Sequence, residues 1–157
     1  MKQTWARQGL WSLVVLGTAL VPAYAGDSLY GRVTAVKEAT LVTLDYGSGT
    51  YDIRIVGVDA PKAGEAQAGE ARKFVSDLLL GKNARMRLHR GSPDGEMICR
   101  LFTDDTVIGI KEVGVELVRA GLARRQPGYD EKYGELSAAE NEARTAGRGV
   151  WAAAQTK

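Results

Sequence analysis

The fold of this protein is decided by a short stretch in the first half of the chain, YDIRIVGVDAP, residues 51–61. Apolar residues alternate with polar ones from Tyr51 to Ile55, a pattern typical of a β-strand with one buried face. The strand is predicted to run to Val58. Asp59-Ala60-Pro61 then breaks it, because Asp and Pro favour turns. The stretch therefore predicts a strand that ends in an acidic turn.

Four further strands and three helices are predicted around this stretch. The other strands are expected at 30–36, 41–44, 84–89 and 97–102. The helices are expected at 65–80, 112–120 and 130–146, each followed by a glycine that ends it. One helix after the third strand and two at the end of the chain are typical of an α+β protein. The pattern predicts a small five-stranded β-barrel with packed helices.

The first 25 residues have the features of a secretory signal. Lys2 and Arg7 form a basic start, Leu10 to Leu20 is mostly apolar, and Ala23-Tyr24-Ala25 is a small-x-small cleavage site. A membrane anchor is the alternative, but the apolar run is shorter than the ~20 residues needed to span a bilayer. We therefore predict a cleaved signal at 1–25, one domain at 26–157 with no membrane span, and a periplasmic or secreted location.

Charge removes the simplest argument for nucleic-acid binding. The chain has 21 basic and 19 acidic residues. Residues 1–25 hold two of the basic residues and no acidic one, so the remainder has 19 of each. A general nucleic-acid binder is usually basic, because neutralised phosphates supply most of its affinity. A nucleic-acid partner is therefore not indicated by net charge, although a local basic patch is compatible with it.

Two single residues exclude other classes of site. Cys99 is the only cysteine and His89 the only histidine, so neither an intramolecular disulfide nor a His/Cys zinc site can form. Cys99 lies in an apolar stretch, which predicts a buried, unreactive thiol.

Four segments, in this order and spacing, resemble the staphylococcal nuclease (thermonuclease-like) family. They are Arg54-Ile55-Val56-Gly57-Val58-Asp59-Ala60-Pro61, the helix Gln67 to Lys82, Glu116-Leu117-Val118-Arg119-Ala120-Gly121-Leu122-Ala123, and Glu142-Ala143-Arg144 with Arg148-Gly149-Val150-Trp151. The resemblance spans about Leu29 to Trp151. It implies a five-stranded OB-type barrel with three helices, and calcium-dependent hydrolysis of phosphodiester bonds in DNA and RNA.

Two site residues match the pattern that the resemblance implies. Arg54 matches an arginine that binds phosphate, and an ion pair with Asp59 is its alternative role. Asp59 matches a metal ligand, and its alternative role is to cap the turn before Pro61.

Three other positions depart from that pattern. Ala39 stands where the resemblance implies a second metal carboxylate, and Lys62 stands where it implies a catalytic glutamate. Glu96 stands where it implies a second arginine, in the register that best fits the strand after Gly95. In a rival register Arg100 takes that place. The sequence leaves open whether Lys62 and Glu96 form an ion pair.

Other segments have weaker indications. Tyr129 and Tyr133 match tyrosines that contact a nucleotide in the family, although packing against the last helix is the favoured role. Arg119, Arg124 and Arg125 form a basic cluster that suits either phosphate or solvent. Thr106 to Lys111 looks like an apolar insertion that could bind an unknown protein partner.

The sequence therefore favours a non-catalytic binding or scaffold module that needs no cofactor. The alternative is a calcium-dependent endonuclease with a site rebuilt from Glu38, Asp59 and Glu65 together with Arg54 and Arg100. A third hypothesis is a nucleic-acid binder that does not cleave. Whether the protein is an enzyme stays open at this point.

The signal segment generates a direct prediction. When the full chain is expressed in a bacterial host, the exported protein should begin at Gly26, because signal peptidase cleaves after small-x-small sites. Intact-mass spectrometry of the exported fraction measures this. Recovery of the protein only with residues 1–25 attached would contradict the prediction.

Overall fold

The structure is a computed structural model that describes residues 28–91, 96–104, 109–129 and 134–155. The predicted signal segment, Tyr133 and residues 106–108 lie outside the described residues. Within the described part of the chain, none of the helices has the length and apolar character needed to cross a bilayer.

The described residues form seven strands and three α-helices. The strands are β1 (Leu29–Glu38), β2 (Leu41–Asp45), β3 (Thr50–Ile55), β4 (Val58–Asp59), β5 (Asn83–Gly91), β6 (Met97–Thr103) and β7 (Arg124–Arg125). The helices are α1 (Ala68–Leu79), α2 (Val113–Arg119) and α3 (Glu135–Thr145), followed by a 3-10 helix at Gly149–Gln155.

Five of the strands close into a barrel in the order β1-β2-β3-β6-β5. The β3–β6 pair is parallel, whereas the β1–β2, β1–β5, β2–β3 and β5–β6 pairs are antiparallel. The predicted α+β class, with a five-stranded OB-type barrel and three helices, is confirmed.

The quoted stretch folds differently from the prediction at one point. Its strand does not continue to Val58 but ends at Ile55, and Gly57 turns the chain with a φ of 83°. Val58–Asp59 then form a separate two-stranded ribbon with Arg124–Arg125. Sequence periodicity missed this ribbon because two residues are too few to show an alternation.

The core fills the barrel and the space beneath the helices. Side chains that alternate along the strands point inward, including Val33, Val42 and Ile53, which are 0% exposed. α1 contributes the stripe Ala71, Val75 and Leu79, and Phe74 and Leu78 lie partly buried beside it. α3 contributes Leu136, Ala139 and Ala143.

The C-terminal segment is held against the end of α2 by two glycines in close contact. Val150 N donates a hydrogen bond to Gly121 O at 2.9 Å. Gly121 has a φ of 74°, and a Cβ there would overlap the backbone of Arg148. A Cβ on Gly149 would likewise overlap Gly121 O. Only residues without a side chain allow these two backbones to approach so closely.

This close approach predicts that Gly121→Ala is more destabilising than Gly47→Ala. Both glycines have a positive φ, 74° at Gly121 and 79° at Gly47. At Gly47, however, no atom lies within 4 Å of the position that a Cβ would take. Left-handed strain costs about 1–2 kcal/mol in both variants, and overpacking should add about 1–3 kcal/mol at Gly121. Guanidinium unfolding midpoints measure the difference. Equal losses in the two variants would contradict the assigned contact.

Candidate functional site

The predicted site residues surround a shallow cavity of about 260 Å³ where β3 meets β4. Its lining includes Glu38, Arg54, Asp59 and Lys62, together with Pro61 of the acidic turn. The structure therefore brings together four side chains that the sequence resemblance singled out or placed nearby. Ala39 does not line this cavity but a neighbouring one against α1.

Arg54 is directed out of the barrel because its neighbours Ile53 and Ile55 are buried inside it. Its guanidinium donates two hydrogen bonds to Glu96, from Nε to Oε2 at 2.8 Å and from Nη2 to Oε1 at 3.0 Å. Its Nη1 lies 3.6 Å from Glu38 Oε2. Arg54 therefore faces two carboxylates, and one of them holds it in a bidentate pair.

The parallel pairing of β3 with β6 explains this contact. Ile53 lies opposite Met97 and Arg54 opposite Ile98, so Glu96, at the start of β6, comes beside the Arg54 side chain. The hydrogen bonds from Arg54 lower the pKa of Glu96 below its ordinary 4.5, and the same bonds raise the pKa of Arg54. Both groups are therefore charged at neutral pH.

The contacts of Arg54 and Glu96 decide two alternatives that the sequence left open. A pair with Asp59 was the alternative role of Arg54, and it was wrong, because Arg54 pairs with Glu96 and Glu38 instead. Whether Glu96 pairs with Lys62 was an open question, and both oxygens of Glu96 accept from Arg54.

Asp59 and Lys62 are both exposed. Asp59 belongs to β4, with Arg124 of β7 as its cross-strand partner. Lys62 N donates to Glu65 Oε2 at 2.8 Å, so Glu65 closes the turn after Pro61. Glu65 was predicted to begin the first turn of the helix, but α1 begins only at Ala68, three residues later.

Ala39 has no side-chain oxygen. It is only 2% exposed and belongs to the hydrophobic core. Calcium takes six to eight oxygen ligands, largely from carboxylates. Among the residues that the structure describes, no group of three His, Cys, Asp or Glu side chains is placed to hold a metal ion. Asp59 is the one carboxylate at a position that the resemblance assigns to a ligand, and Lys62 puts a positive charge nearby. This donor set does not fit a calcium ion.

Arg100, the residue of the rival register, lies away from the cavity. Its Nε and Nη2 both donate hydrogen bonds to Glu112, and Nη2 also lies 3.2 Å from Glu135 Oε2. The hydrogen bonds with Glu112 raise the pKa of Arg100. The side chain therefore joins β6 to the segment before α2 and to α3, and it does not approach Arg54.

Tyr129 packs against Gly57, two residues before the acidic turn at Asp59. A Cβ on Gly57 would lie 2.6 Å from the Tyr129 ring, so the ring covers this glycine directly. Tyr129 is half-buried against the core and makes an edge contact with His89 at 6.1 Å between ring centres. Leu136 of α3 lies 3.1 Å from the same Cβ position, so these contacts are compatible with the predicted packing of Tyr129 against the last helix.

The predicted basic cluster is divided among different contacts. Arg119 forms ion pairs with Glu116 and Glu142. The guanidinium carbon of Arg124 lies 4.8 Å from a ring centre of Trp151. That of Arg144 lies 4.5 Å from a ring centre of the same side chain. These cation–π contacts bind the C-terminal 3-10 helix to β7 and α3.

Sequence reasoning missed a second basic surface. Arg85 and Arg87 of β5 lie on the outside of the barrel and line a groove of about 560 Å³ against α2. The signal was the alternation of basic with apolar residues in NARMRLHR, residues 83–90. That alternation places both arginines on one face of a strand.

Comparison with known proteins agrees with this architecture. A family model described as "Staphylococcal nuclease homologue" matches residues 52–153. "Probable endonuclease LCL3" of Pyricularia oryzae is 28% identical over 162 residues, covering 80% of this chain and 62% of the relative. The "Uncharacterized endonuclease" of Haemophilus influenzae is 26% identical over 144 residues, covering 91% and 77%.

A plant relative is similar over a shorter region. "Probable staphylococcal-like nuclease CAN1" of Oryza sativa is 25% identical over 105 residues, covering 67% of this chain and 30% of the relative. The chain therefore spans less than two thirds of the Pyricularia and Oryza relatives.

The Arg54–Glu96 pair generates a prediction about pH. Glu96→Gln should lower the free energy of unfolding by about 1 kcal/mol or less at pH 7, because the pair is partly exposed. The folded-state pKa of Glu96 lies below its ordinary 4.5. The stabilisation is therefore complete above pH 4.5 and disappears as the pH falls through the lower folded value.

Urea unfolding of the two proteins between pH 7 and pH 3 measures this difference. Asp77→Asn is the control, since it removes a more exposed ion pair, Lys73–Asp77, from α1. A difference between the natural protein and Glu96→Gln that stays constant down to pH 3 would count against the charged pair.

Proposed function

Since the chain belongs to the staphylococcal nuclease family, we propose that it is a non-catalytic member, a binding or scaffold module that has lost the phosphodiester chemistry of the family. This conclusion rests above all on one observation, the bidentate ion pair between Arg54 and Glu96.

The pair occupies the groups that a phosphate would need. A guanidinium binds phosphate through two parallel N–H donors, and Arg54 already directs Nε and Nη2 to the Glu96 carboxylate. Its remaining nitrogen, Nη1, faces Glu38. A phosphodiester would have to displace Glu96 and approach two carboxylates of its own sign. Glu96 thus acts as an internal anion that fills the arginine site.

The neighbouring replacements support the same conclusion. A lysine at position 62 repels a cation and cannot act as the carboxylate that positions or deprotonates an attacking water. Ala39 adds no metal ligand. A lost oxyanion-type contact typically costs ~10²–10³ in rate, and lost general-base assistance ~10²–10⁴. Although such losses need not be additive, their combination predicts a very poor nuclease, and we propose that no calcium ion is needed.

A metal-dependent endonuclease is the second candidate. Relatives are named probable endonucleases, and Arg54, Asp59 and Glu38 do line one cavity. For this candidate to hold, Glu96 would have to leave Arg54 when substrate binds. Glu38 and Asp59 would then have to share a cation near Lys62.

We place the module in the periplasm or outside the cell, because of the signal-like residues 1–25, and we keep Thr106–Lys111 as its candidate contact with a protein partner. The described part of that segment is residues 109–111, in which Ile110 is 59% exposed. Its backbone is held by Thr103, whose Oγ1 donates to Gly109 O and accepts from Lys111 N, both at 2.8 Å. The segment therefore presents an apolar side chain on a fixed support.

Cleavage of labelled DNA and RNA tests the proposal. We expect no cleavage by the purified protein with Ca²⁺, Mg²⁺ or Mn²⁺, beside an active member of the family. The double variant Lys62→Glu, Glu96→Arg leaves the net charge unchanged and frees Arg54 from Glu96. Adding Ala39→Asp gives a triple variant with the full set of implied residues, which we expect to gain measurable, EDTA-sensitive cleavage.

Two controls make the result decisive. Lys73→Glu, Asp77→Arg reverses an exposed ion pair on α1 with the same charge changes and should gain nothing. Because Ala39 is buried, circular dichroism must first show that the triple variant is folded. If the triple variant is unfolded, the cleavage assay is carried out with the double variant. Metal-dependent cleavage by the natural protein that is lost in Asp59→Ala would establish the endonuclease instead.

A further inference from the structure

We propose that the outer face of β1, β5 and β6 binds single-stranded nucleic acid, at a surface separate from the Arg54 cavity. We call this surface the arginine face and define it by Tyr30, Arg85, Arg87, Arg100 and Lys111. It does not depend on whether the Arg54 cavity cleaves anything.

Strand register places these side chains in two rows. Tyr30 of β1 lies opposite Arg85 of β5, which lies opposite Phe102 of β6. Arg87 lies opposite Arg100 in the next row. Residues directly opposite in antiparallel strands share a face. An aromatic ring and three guanidinium groups are therefore displayed side by side on the outside of the barrel.

The face continues into the groove against α2. Described residues of the groove include five cations, Arg85, Arg87, Arg100, Lys111 and Arg119, and three carboxylates, Glu112, Glu116 and Glu135. These carboxylates are engaged with Arg100 and Arg119. Among the described residues of the groove, Arg85 and Lys111 are therefore left without a carboxylate partner.

Arg85 carries the argument furthest. Its guanidinium carbon lies 5.0 Å from the centre of the Phe102 ring, which holds the group against the sheet. Its Nε is enclosed and has no hydrogen-bond partner among the described residues. Arg54 and Arg100, by contrast, each have a bidentate carboxylate. Arg85 is therefore a positioned cation that no carboxylate in the described part of the chain neutralises.

The chemistry of the face favours single strands over other polyanions. Arginines spaced along a strand can follow a phosphate backbone, and a guanidinium plane held over a ring offers a flat surface to a base. Tyr30, which is 56% exposed, offers a second such surface. A base can stack on both groups only where it is unpaired, whereas an acidic peptide would leave the Tyr30 ring unused.

Fluorescence anisotropy of a fluorescein-labelled dT15 oligonucleotide tests this proposal. The measurement uses the whole protein in EDTA, so cleavage cannot interfere, at salt concentrations from 50 to 200 mM. Arg85→Met keeps the cover over Phe102 but removes the charge. We expect it to weaken binding about tenfold and to reduce the salt slope by about 0.7, as for one phosphate contact on a single strand.

Tyr30→Leu is the second variant, at an exposed position where folding should be unaffected. It keeps an apolar body and removes the stacking ring, so we expect binding about tenfold weaker with an unchanged salt slope. Lys73→Met is the matched control: it removes one charge from α1, where the side chain is 73% exposed, and should leave the affinity unchanged. Thermal melts confirm that each variant is folded.

Several outcomes would overturn the proposal. Equal weakening by Arg85→Met and Lys73→Met would show that binding follows overall charge. Greater weakening by Arg54→Ala than by Arg85→Met would place the binding in the cavity. Equal or tighter binding of a 15-base-pair duplex would exclude preference for single strands. Binding of a polyglutamate peptide but not of dT15 would indicate an acidic protein partner instead.

Discussion

The parallel pairing of β3 with β6 closes the barrel and sets the positions of the charged side chains on its outer face. It is the one parallel contact in the barrel order and the one that joins the first three strands to the last two. Once Arg54 lies beside Ile98, Glu96 is fixed next to the Arg54 guanidinium, and Arg100 is carried one pleat further along the outer face. The pairing of strands therefore decides which arginine meets which carboxylate.

Five of the described arginines differ in the kind of partner that neighbouring residues provide. Arg54, Arg100 and Arg119 are each neutralised by glutamates within the fold, so their charge mainly supports structure. Arg85 and Arg124 rest on aromatic rings, which hold the guanidinium without cancelling its charge. A carboxylate partner competes with any anionic ligand, whereas an aromatic partner leaves the donors available.

Family membership alone does not establish activity, because function depends on particular side chains placed on a fold. Here the barrel, the acidic turn and the C-terminal segment follow the family, while the cavity between them contains an internal ion pair. Cys99 illustrates the same separation of fold from chemistry. It is fully buried, its Sγ lies 3.6 Å from Met86 Sδ, and burial raises its pKa to about 11, so it serves the core.

Local features of this protein are predictable from its amino-acid sequence. The five barrel strands, the three helices, the turn at Asp59-Ala60-Pro61 and the residues at positions 39, 62 and 96 could all be identified from periodicity and resemblance. The partner of Arg54, the β4–β7 ribbon and the arginine face, by contrast, became evident only in the folded chain. Arg54 and Glu96 are 42 residues apart, and Tyr30 meets Arg85, and Arg85 meets Phe102, only across paired strands. Such contacts depend on register between distant segments, and an exposed ion pair differs from its rivals by about 1 kcal/mol or less, too little to be encoded in any local pattern.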